Sequence, residues 1–82
     1  MNIKIFTRNG EPYSEMLKSL LTYYSLPFDN IEVTRNAEAL NELLRISGQP
    51  TTPVIIADGK TYIGFDREHI KRVLGLPEDQ AQ

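Results

Sequence analysis

The chain has 82 residues, 40% of them hydrophobic and 24% charged, and a formal net charge of −2 at pH 7. This length allows one small domain with a modest core, and the negative balance gives no electrostatic support to a nucleic-acid partner. With no cysteine and one histidine, the chain has no disulfide, no thiol nucleophile and no thiolate zinc site. No apolar run is long enough to span a membrane, and the first residues begin a strand pattern instead of a signal peptide. We therefore expect a cytoplasmic protein that binds neither nucleic acid, nor a membrane, nor a metal ion.

The first part of the chain predicts a strand followed by a helix. Apolar and polar side chains alternate around Ile3 and Ile5, which indicates a strand over residues 2–7. Turn-forming residues follow, and a helix is predicted from Pro12 to Tyr24, because the missing N–H of a proline would have no partner at the first helical position. Its predicted buried stripe repeats at helical spacing and consists of Leu17, Leu20, Leu21 and Tyr24.

The middle of the chain repeats this arrangement. A second strand is predicted over residues 28–33, with Ile31 and Val33 on one face. Asn36 suits the N-cap of the following helix, since its side chain can accept a hydrogen bond from a backbone N–H of the first turn. This helix is expected to end at Gly48, because glycine readily adopts the left-handed conformation found at helix C-termini. Its predicted apolar face consists of Leu40, Leu43 and Leu44.

The last part of the chain predicts a hairpin and a third helix. Residues 53–57 are a short apolar run, which indicates a strand buried on both faces. Asp58–Gly59 is typical of a two-residue type I′ turn before a returning strand at residues 60–63. Asp66 can then cap a helix over residues 67–74.

The predicted order is therefore β-α-β-α-β-β-α, an α/β architecture. This order predicts a four-stranded mixed sheet flanked by helices, with the first and third helices on the same face. The single domain is predicted to span residues 2–76, and residues 77–82 are predicted to form a loose tail.

Five short segments mark the junctions between these elements: Thr7–Gly10, Glu11–Ser14, Thr51–Val54, Asp58–Gly59 and Ile63–Asp66. Their order and spacing resemble those of the glutaredoxins, small members of the thioredoxin-fold superfamily, over nearly the whole chain. In that family the corresponding segments are the Thr-Lys-Pro-Gly lead-in, the Cys-Pro-Tyr-Cys active site, the cis-proline loop, the hairpin and the opening of the last helix. The resemblance implies a thioredoxin-like fold.

The chain departs from the family at the two positions that carry its chemistry. Glu11 and Ser14 stand where the family has its two cysteines. The first family cysteine attacks a disulfide as a thiolate stabilised by the helix N-terminus, and neither a carboxylate nor a hydroxyl can form a mixed disulfide. Dithiol and monothiol exchange are both excluded for this chain alone, and no catalytic residue is predicted. Glu11 either mimics the thiolate charge and binds a cationic group of a partner, or only stabilises the helix N-terminus by roughly 0.3–1 kcal/mol.

The resemblance also implies a ligand groove beside these two positions. Arg8 matches a basic position that meets a glutathione carboxylate in the family, and Tyr13 matches a position that lines the glutathione groove. Thr52 matches the residue whose backbone pairs with a bound peptide, and its bond to Pro53 is expected to be cis.

The resemblance places Phe65 and Asp66 in the same groove. Their Gly-Phe-Asp setting resembles glutaredoxin-like proteins that are reduced by thioredoxin reductase, which weakens the case for glutathione. Simpler roles are open for several of these residues: Asp66 as a plain N-cap, Arg8 as a solvated side chain and Ser14 as a hydrogen-bonding filler.

Four functions are open at this point. The predicted one is a non-redox binding module that holds a peptide or protein partner, or a small thiol compound, in the groove; it requires no cofactor, and glutathione is a candidate ligand. The second is an enzyme in which Ser14 or Tyr13 activates the glutathione thiol, as in thioredoxin-fold transferases, although those have an additional helical domain. The third is an assembly role or a decoy that competes with active relatives. The fourth is a thiol-disulfide oxidoreductase whose cysteines have been substituted.

Overall fold

The computed structural model of the chain describes residues 1–77, so the predicted tail beyond Pro77 lies outside the described residues. The order of elements confirms the α/β class and the β-α-β-α-β-β-α arrangement. The elements are β1 (Ile3–Thr7), α1 (Pro12–Tyr23), β2 (Asp29–Glu32), α2 (Ala37–Ser47), β3 (Val54–Ala57), β4 (Lys60–Ile63) and α3 (Arg67–Val73). Several of them are one or two residues shorter than predicted, because residues such as Tyr24 cap an element instead of extending it.

The four strands form one mixed sheet in the order β2-β1-β3-β4. β1 runs parallel to β2 and antiparallel to β3, and β4 runs antiparallel to β3. Phe6 on β1 lies opposite Ile31 on one side and Val54 on the other. The two central strands, β1 and β3, therefore carry the middle of the core, and β2 and β4 are the edges.

Helices cover both faces of the sheet, and α1 and α3 share one face, as predicted. On that face the buried cluster contains Ile3, Ile5, Leu17, Leu20, Leu21, Ile55, Ala57, Ile70 and Leu74. On the other face, α2 contributes Leu43 to a smaller cluster with Phe6, Val33 and Val54. Because Val54 and Ile55 belong to different clusters and neither has exposed surface, β3 is buried on both faces, which was predicted from its unbroken apolar run.

The predicted apolar face of α2 is wrong at Leu44, of which 38% is exposed. Leu43 is fully buried, and Leu40 and Ile46 pack partly buried against the same cluster. Successive helical residues are about 100° apart around the axis, so Leu40 and Ile46 lie about 60° on either side of Leu43. Leu44 lies about 100° away from Leu43 and falls outside the buried arc.

Two helices, α2 and α3, begin at their predicted capping residues, and the hairpin turn lies at the predicted pair. Asn36 Oδ1 accepts a hydrogen bond from the N–H of Ala39 at 2.8 Å, and Asp66 Oδ1 accepts one from the N–H of His69 at 3.2 Å. Asp58 and Gly59 have φ values of 50° and 84°, which are the two positive values that a type I′ turn requires. Within residues 1–77 no helix is long and apolar enough to cross a membrane.

Candidate functional site

The site is built where β1 ends and α1 begins. Gly10, with φ 84°, lets the chain reverse, and the N–H of Glu11 closes the turn on the carbonyl of Arg8 at 3.0 Å. Glu11 is the N-cap residue of α1 in extended conformation, and its side chain caps none of the helix N–H groups. Its carboxylate is therefore available for contacts with other parts of the chain.

The Glu11 carboxylate accepts two short hydrogen bonds on the same oxygen. Ser14 Oγ donates to Glu11 Oε1 at 2.5 Å, and Thr52 Oγ1 donates to it at 2.6 Å. Hydrogen bonds from hydroxyls to a carboxylate are shorter and stronger than neutral ones. The pair ties the first turn of α1 to the loop before β3, a segment that is 41 positions away in the sequence.

Ser14 is fully buried beneath this carboxylate. Its hydroxyl accepts a hydrogen bond from the N–H of Arg8 at 3.1 Å and donates its own proton to Glu11. The serine occupies the position of the second family cysteine, and its hydroxyl forms hydrogen bonds with two neighbouring groups, the N–H of Arg8 and the carboxylate of Glu11. A nucleophilic or thiol-activating role would need contact with a substrate, which the complete burial of Ser14 does not offer.

Arg8 holds the loop before Pro53 from the other side. Its Nη1 donates to the carbonyl of Pro50 at 2.7 Å and to Thr52 Oγ1 at 2.9 Å. The Thr52 hydroxyl thus accepts from the guanidinium and donates to Glu11, so the charges of Arg8 and Glu11 are bridged by one hydroxyl. We call the side chains of Arg8, Glu11, Ser14 and Thr52 the Glu11 network.

These contacts lower the pKa of Glu11. The hydrogen bond from Ser14 contributes most, followed by that from Thr52, and the positive charge of Arg8 acts in the same direction. Burial and the nearby carboxylate of Glu32 oppose them. The net lowering means that the group is ionised at neutral pH, so a permanent negative charge stands beside the N-terminus of α1.

Tyr13 and Phe65 form an aromatic wall next to the network. Tyr13 is 59% exposed, and its ring lies 6.4 Å from that of Phe65, with an angle of 21° between the planes. Phe65 is partly buried and leads directly into Asp66, whose carboxylate is engaged as the N-cap of α3.

The loop between α2 and β3 contributes Thr52 to the network. The Thr52–Pro53 peptide bond is cis, the isomer that the family resemblance implies. The carbonyl of Pro53 accepts a hydrogen bond from the N–H of Gly64 at 2.8 Å, which joins this loop to the start of the Phe65 segment. Within residues 1–77, neither the N–H nor the C=O of Thr52 bonds to another backbone group.

The structure thus joins four of the sequence-predicted site positions in one network and places Tyr13 and Phe65 beside it.

Two further carboxylates were not singled out from the sequence. Glu15 Oε2 accepts from the N–H of Gly10 at 3.0 Å and pairs with Lys18 at 2.9 Å. Glu32 lies close enough to raise the pKa of Glu11. Glu15 could have been predicted from the sequence, because it is an acidic residue in the first helical turn with a lysine three positions later. No local sequence pattern indicates the role of Glu32.

No metal centre is evident in the part of the chain that the structure describes. Among residues 1–77, no three histidine, cysteine, aspartate or glutamate side chains are grouped so that they could hold a metal ion. The chemistry of the site therefore rests on one carboxylate, two hydroxyls, a guanidinium and the backbone of Thr52.

Comparison with known structures first defines the fold. A crystal structure of a mutant of the thioredoxin-like protein BC3987 superposes with a TM-score of 0.85 at 24% identity, covering 93% of this chain and 97% of that one. The NrdH-redoxin of Escherichia coli, described as a glutaredoxin-like protein, matches with a TM-score of 0.74 and 34% identity over 89% of this chain and 95% of its own. The chain has the thioredoxin-like fold.

Sequence comparison then defines the family. The glutaredoxin family model matches residues 3–62. Glutaredoxin 3 of Escherichia coli strain K12 is 31% identical over 65 residues, which cover 79% of this chain and 78% of that protein. The chain belongs to the glutaredoxin family, and it contains no cysteine.

Proposed function

We propose that this chain is a cytoplasmic binding module of the glutaredoxin family that does not exchange disulfides. Its groove between Tyr13, Thr52–Pro53 and Phe65–Asp66 would hold an extended peptide of a protein partner or a small thiol compound such as glutathione. No cofactor is needed for this role, because the groove offers charge, an aromatic wall and backbone hydrogen-bonding groups.

The observation that carries the proposal is the anchored carboxylate of Glu11. A side chain that had only replaced a lost cysteine would need no hydrogen-bond partners. The Glu11 carboxylate, however, accepts hydrogen bonds from two hydroxyls, at 2.5 and 2.6 Å. The hydrogen bonds hold a negative charge at the position where the family resemblance places the thiolate. The site therefore has a negative charge at this position, as the family active site does, but it has no thiol for redox chemistry.

The backbone of Thr52, whose N–H and C=O pair with no other backbone group of residues 1–77, supports a peptide as the ligand. An extended chain can add to free N–H and C=O groups as a further strand, with affinity from main-chain hydrogen bonds and specificity from neighbouring side chains. The Escherichia coli NrdH-redoxin, 34% identical to this chain, is described as having a thioredoxin-like activity profile. Together with the Gly-Phe-Asp segment, this leads us to place a peptide ahead of glutathione.

The test is an amide NMR titration of the full chain with reduced glutathione, with S-methylglutathione and with extended peptides that carry a lysine or an arginine. We expect saturable shifts clustered on Tyr13, Thr52 and Phe65 for at least one of these ligands. The variant Thr52→Pro removes the backbone N–H together with the hydroxyl that bridges Arg8 and Glu11, and Thr52→Val removes the hydroxyl alone, so binding should be weaker in Thr52→Pro than in Thr52→Val. Thr51→Pro is the matched control one position earlier. Circular dichroism establishes that all three variants are folded.

Two results would contradict the proposal. One is the absence of clustered shifts with every ligand at millimolar concentration. The other is binding that Thr52→Pro leaves unchanged while the variants remain folded.

A second candidate is a thiol-disulfide oxidoreductase platform whose cysteines have been substituted. The helix N-terminus beside Glu11 and the buried position of Ser14 favour it. The double variant Glu11→Cys/Ser14→Cys should then accelerate the reduction of insulin by dithiothreitol, compared with dithiothreitol alone. The single variants Glu11→Ser and Ser14→Ala should give no such acceleration. A folded double variant without activity would exclude this candidate.

A further inference from the structure

The turn before α1 contains an asparagine that is followed directly by a glycine. Asn9 and Gly10 are both exposed, and every other asparagine of the sequence is followed by isoleucine, alanine or glutamate. In an Asn-Gly pair the backbone nitrogen of the glycine can attack the side-chain amide most easily. The reason is that glycine has no Cβ to obstruct the approach and its backbone rotates freely. The pair is therefore a candidate for covalent modification of the chain by itself.

The reaction is an intramolecular displacement of ammonia. The backbone nitrogen of Gly10 forms a bond to Cγ of Asn9, and the bond between Cγ and Nδ2 breaks. The proton lost from the backbone nitrogen leaves with the departing amide nitrogen as ammonia. Water then opens the five-membered succinimide at one of its two carbonyl groups, which gives aspartate or isoaspartate. Water is the only other reactant, and nothing is oxidised or reduced.

The turn holds the attacking nitrogen in one orientation. The N–H of Glu11 donates to the carbonyl of Arg8 at 3.0 Å. Between them, Gly10 has a φ of 84°, whereas the φ of Asn9 is not positive. These signs are those of a type II turn, in which ψ of the first central residue is about +120°. This ψ turns the nitrogen of Gly10 away from the Asn9 side chain, so the ring can close only after the peptide group between the two residues has rotated.

Glu15 opposes that rotation. Its Oε2 accepts a hydrogen bond from the N–H of Gly10 at 3.0 Å, and the same oxygen pairs with Lys18 Nζ at 2.9 Å. The hydrogen bond from Gly10 is the largest cause of a lowered pKa at Glu15, so the acceptor is ionised at neutral pH. The N–H that has to turn away is thus tethered to the first turn of α1.

Deamidation at this position would change both the charge and the backbone of the candidate site. The backbone N–H of Asn9 helps to lower the pKa of Glu32, and Glu11 follows two positions later in the sequence. A new carboxylate would therefore stand near two existing ones, and its like charge would raise the pKa of both. Isoaspartate would also add a methylene group to the backbone of the turn that leads into α1.

We propose that Asn9 is a site of spontaneous deamidation and that Glu15 controls the rate by holding the N–H of Gly10. The step that limits the reaction is local opening of this hydrogen bond, not unfolding of the chain. The product has one more negative charge than the formal −2 of the original chain. The proposal involves no ligand, so it stands or falls independently of the function proposed for the groove.

The experiment is incubation of the folded full chain in mildly alkaline buffer, followed by mass spectrometry of its proteolytic peptides. Exchange of the amide for a hydroxyl gives a defined mass increase, and chromatography against synthetic peptides distinguishes isoaspartate from aspartate. We expect conversion at Asn9 and none at Asn41, which is also exposed but is followed by glutamate. Asn9→Gln should abolish the conversion, because its longer side chain would have to close a larger ring.

Variants then connect the rate to Glu15. Glu15→Ala removes the acceptor of the Gly10 N–H and should raise the rate about three-fold or more. Glu38→Ala changes an acidic residue in the first turn of α2 and should leave the rate unchanged. Circular dichroism establishes that both variants are folded.

The dependence on urea distinguishes local opening from global unfolding. Below the unfolding transition the rate in the original chain should stay nearly constant, because a local opening exposes little surface. Three results would overturn the proposal: no conversion at Asn9 in either the original chain or Glu15→Ala, equal rates in these two proteins, or a rate that rises steeply with urea.

Discussion

Removing the Glu11 side chain tests the network directly. In Glu11→Ala the hydroxyls of Ser14 and Thr52 lose the acceptor that they share, and both residues have almost no solvent exposure, at 0% and 6%. A buried donor without an acceptor costs about 1–3 kcal/mol, and two in one network cost about 2–4 kcal/mol of the free energy of unfolding at pH 7. Glu11→Gln keeps a neutral acceptor oxygen and loses only the charge assistance, so we expect about 1 kcal/mol.

The pH dependence of the free energy of unfolding separates the contribution of the Glu11 charge from the contribution of its hydrogen bonds. The pKa of Glu11 is lowered in the folded state, so its ionisation stabilises the fold above the unfolded pKa, and this contribution is lost as the pH falls through the folded pKa. Urea unfolding should therefore show the difference between wild type and Glu11→Gln in full at pH 7, and this difference should shrink progressively as the pH falls below the unfolded pKa and through the folded one. Glu15, whose pKa is also lowered, is present in both proteins and cancels in this difference. Glu32, whose pKa is lowered as well, interacts with the charge of Glu11, so its titration contributes to the difference.

Either of two outcomes would refute this reasoning. The first is an alanine variant as stable as the wild type at pH 7, which would mean that the two hydroxyls do not depend on the carboxylate. The second is a difference between wild type and Glu11→Gln that stays constant over the whole pH range, which would mean that the ionised form is not favoured by the fold.

Three further expectations concern stability and can be measured by urea unfolding at pH 7. Thr52→Val removes the hydroxyl that bridges a guanidinium and a carboxylate and should cost about 1–3 kcal/mol, whereas Thr51→Val, at an exposed position, should stay within about 0.5 kcal/mol; equal effects would contradict the assigned bridge. Asp66→Ala removes the N-cap of α3 and should cost about 0.5–2 kcal/mol, and no loss would show that the cap is redundant. Leu43→Ala should cost about 2–5 kcal/mol because the side chain is fully buried, while Leu44→Ala should cost less than about 1 kcal/mol; the reverse order would place the buried face of α2 elsewhere.

The local features of the fold were predictable from short stretches of sequence. Pro12 marked the start of α1, Asn36 and Asp66 marked the starts of α2 and α3, and Asp58–Gly59 marked the hairpin turn. Each of these signals depends on backbone preferences of one or two residues, so no distant contact is needed to interpret it. The face of α2 was harder, because three leucines at helical spacing do not show where the buried arc is centred.

The site was predictable in position but not in its bonding. The motif resemblance located Glu11 and Ser14 at the start of α1, and the sequence contains no cysteine. The acceptor role of Glu11 toward Thr52 depends on a contact between residues 41 positions apart, which no local pattern encodes. The same holds for the contact of Arg8 with the carbonyl of Pro50.

The sequence by itself therefore determined the order of the elements, their caps, the turn and the absence of thiol chemistry, because all of these follow from residue type and local spacing. Only the tertiary structure decided that the Glu11 carboxylate is anchored by two hydroxyls and that Ser14 is enclosed beneath it. It also decided which apolar residues of α1 face the sheet and which remain open, since burial depends on where β3, α3 and the loop before Pro53 come to lie. A charged residue at a helix N-terminus became part of a hydrogen-bonded network once the fold had brought Thr52 to within hydrogen-bonding distance of it.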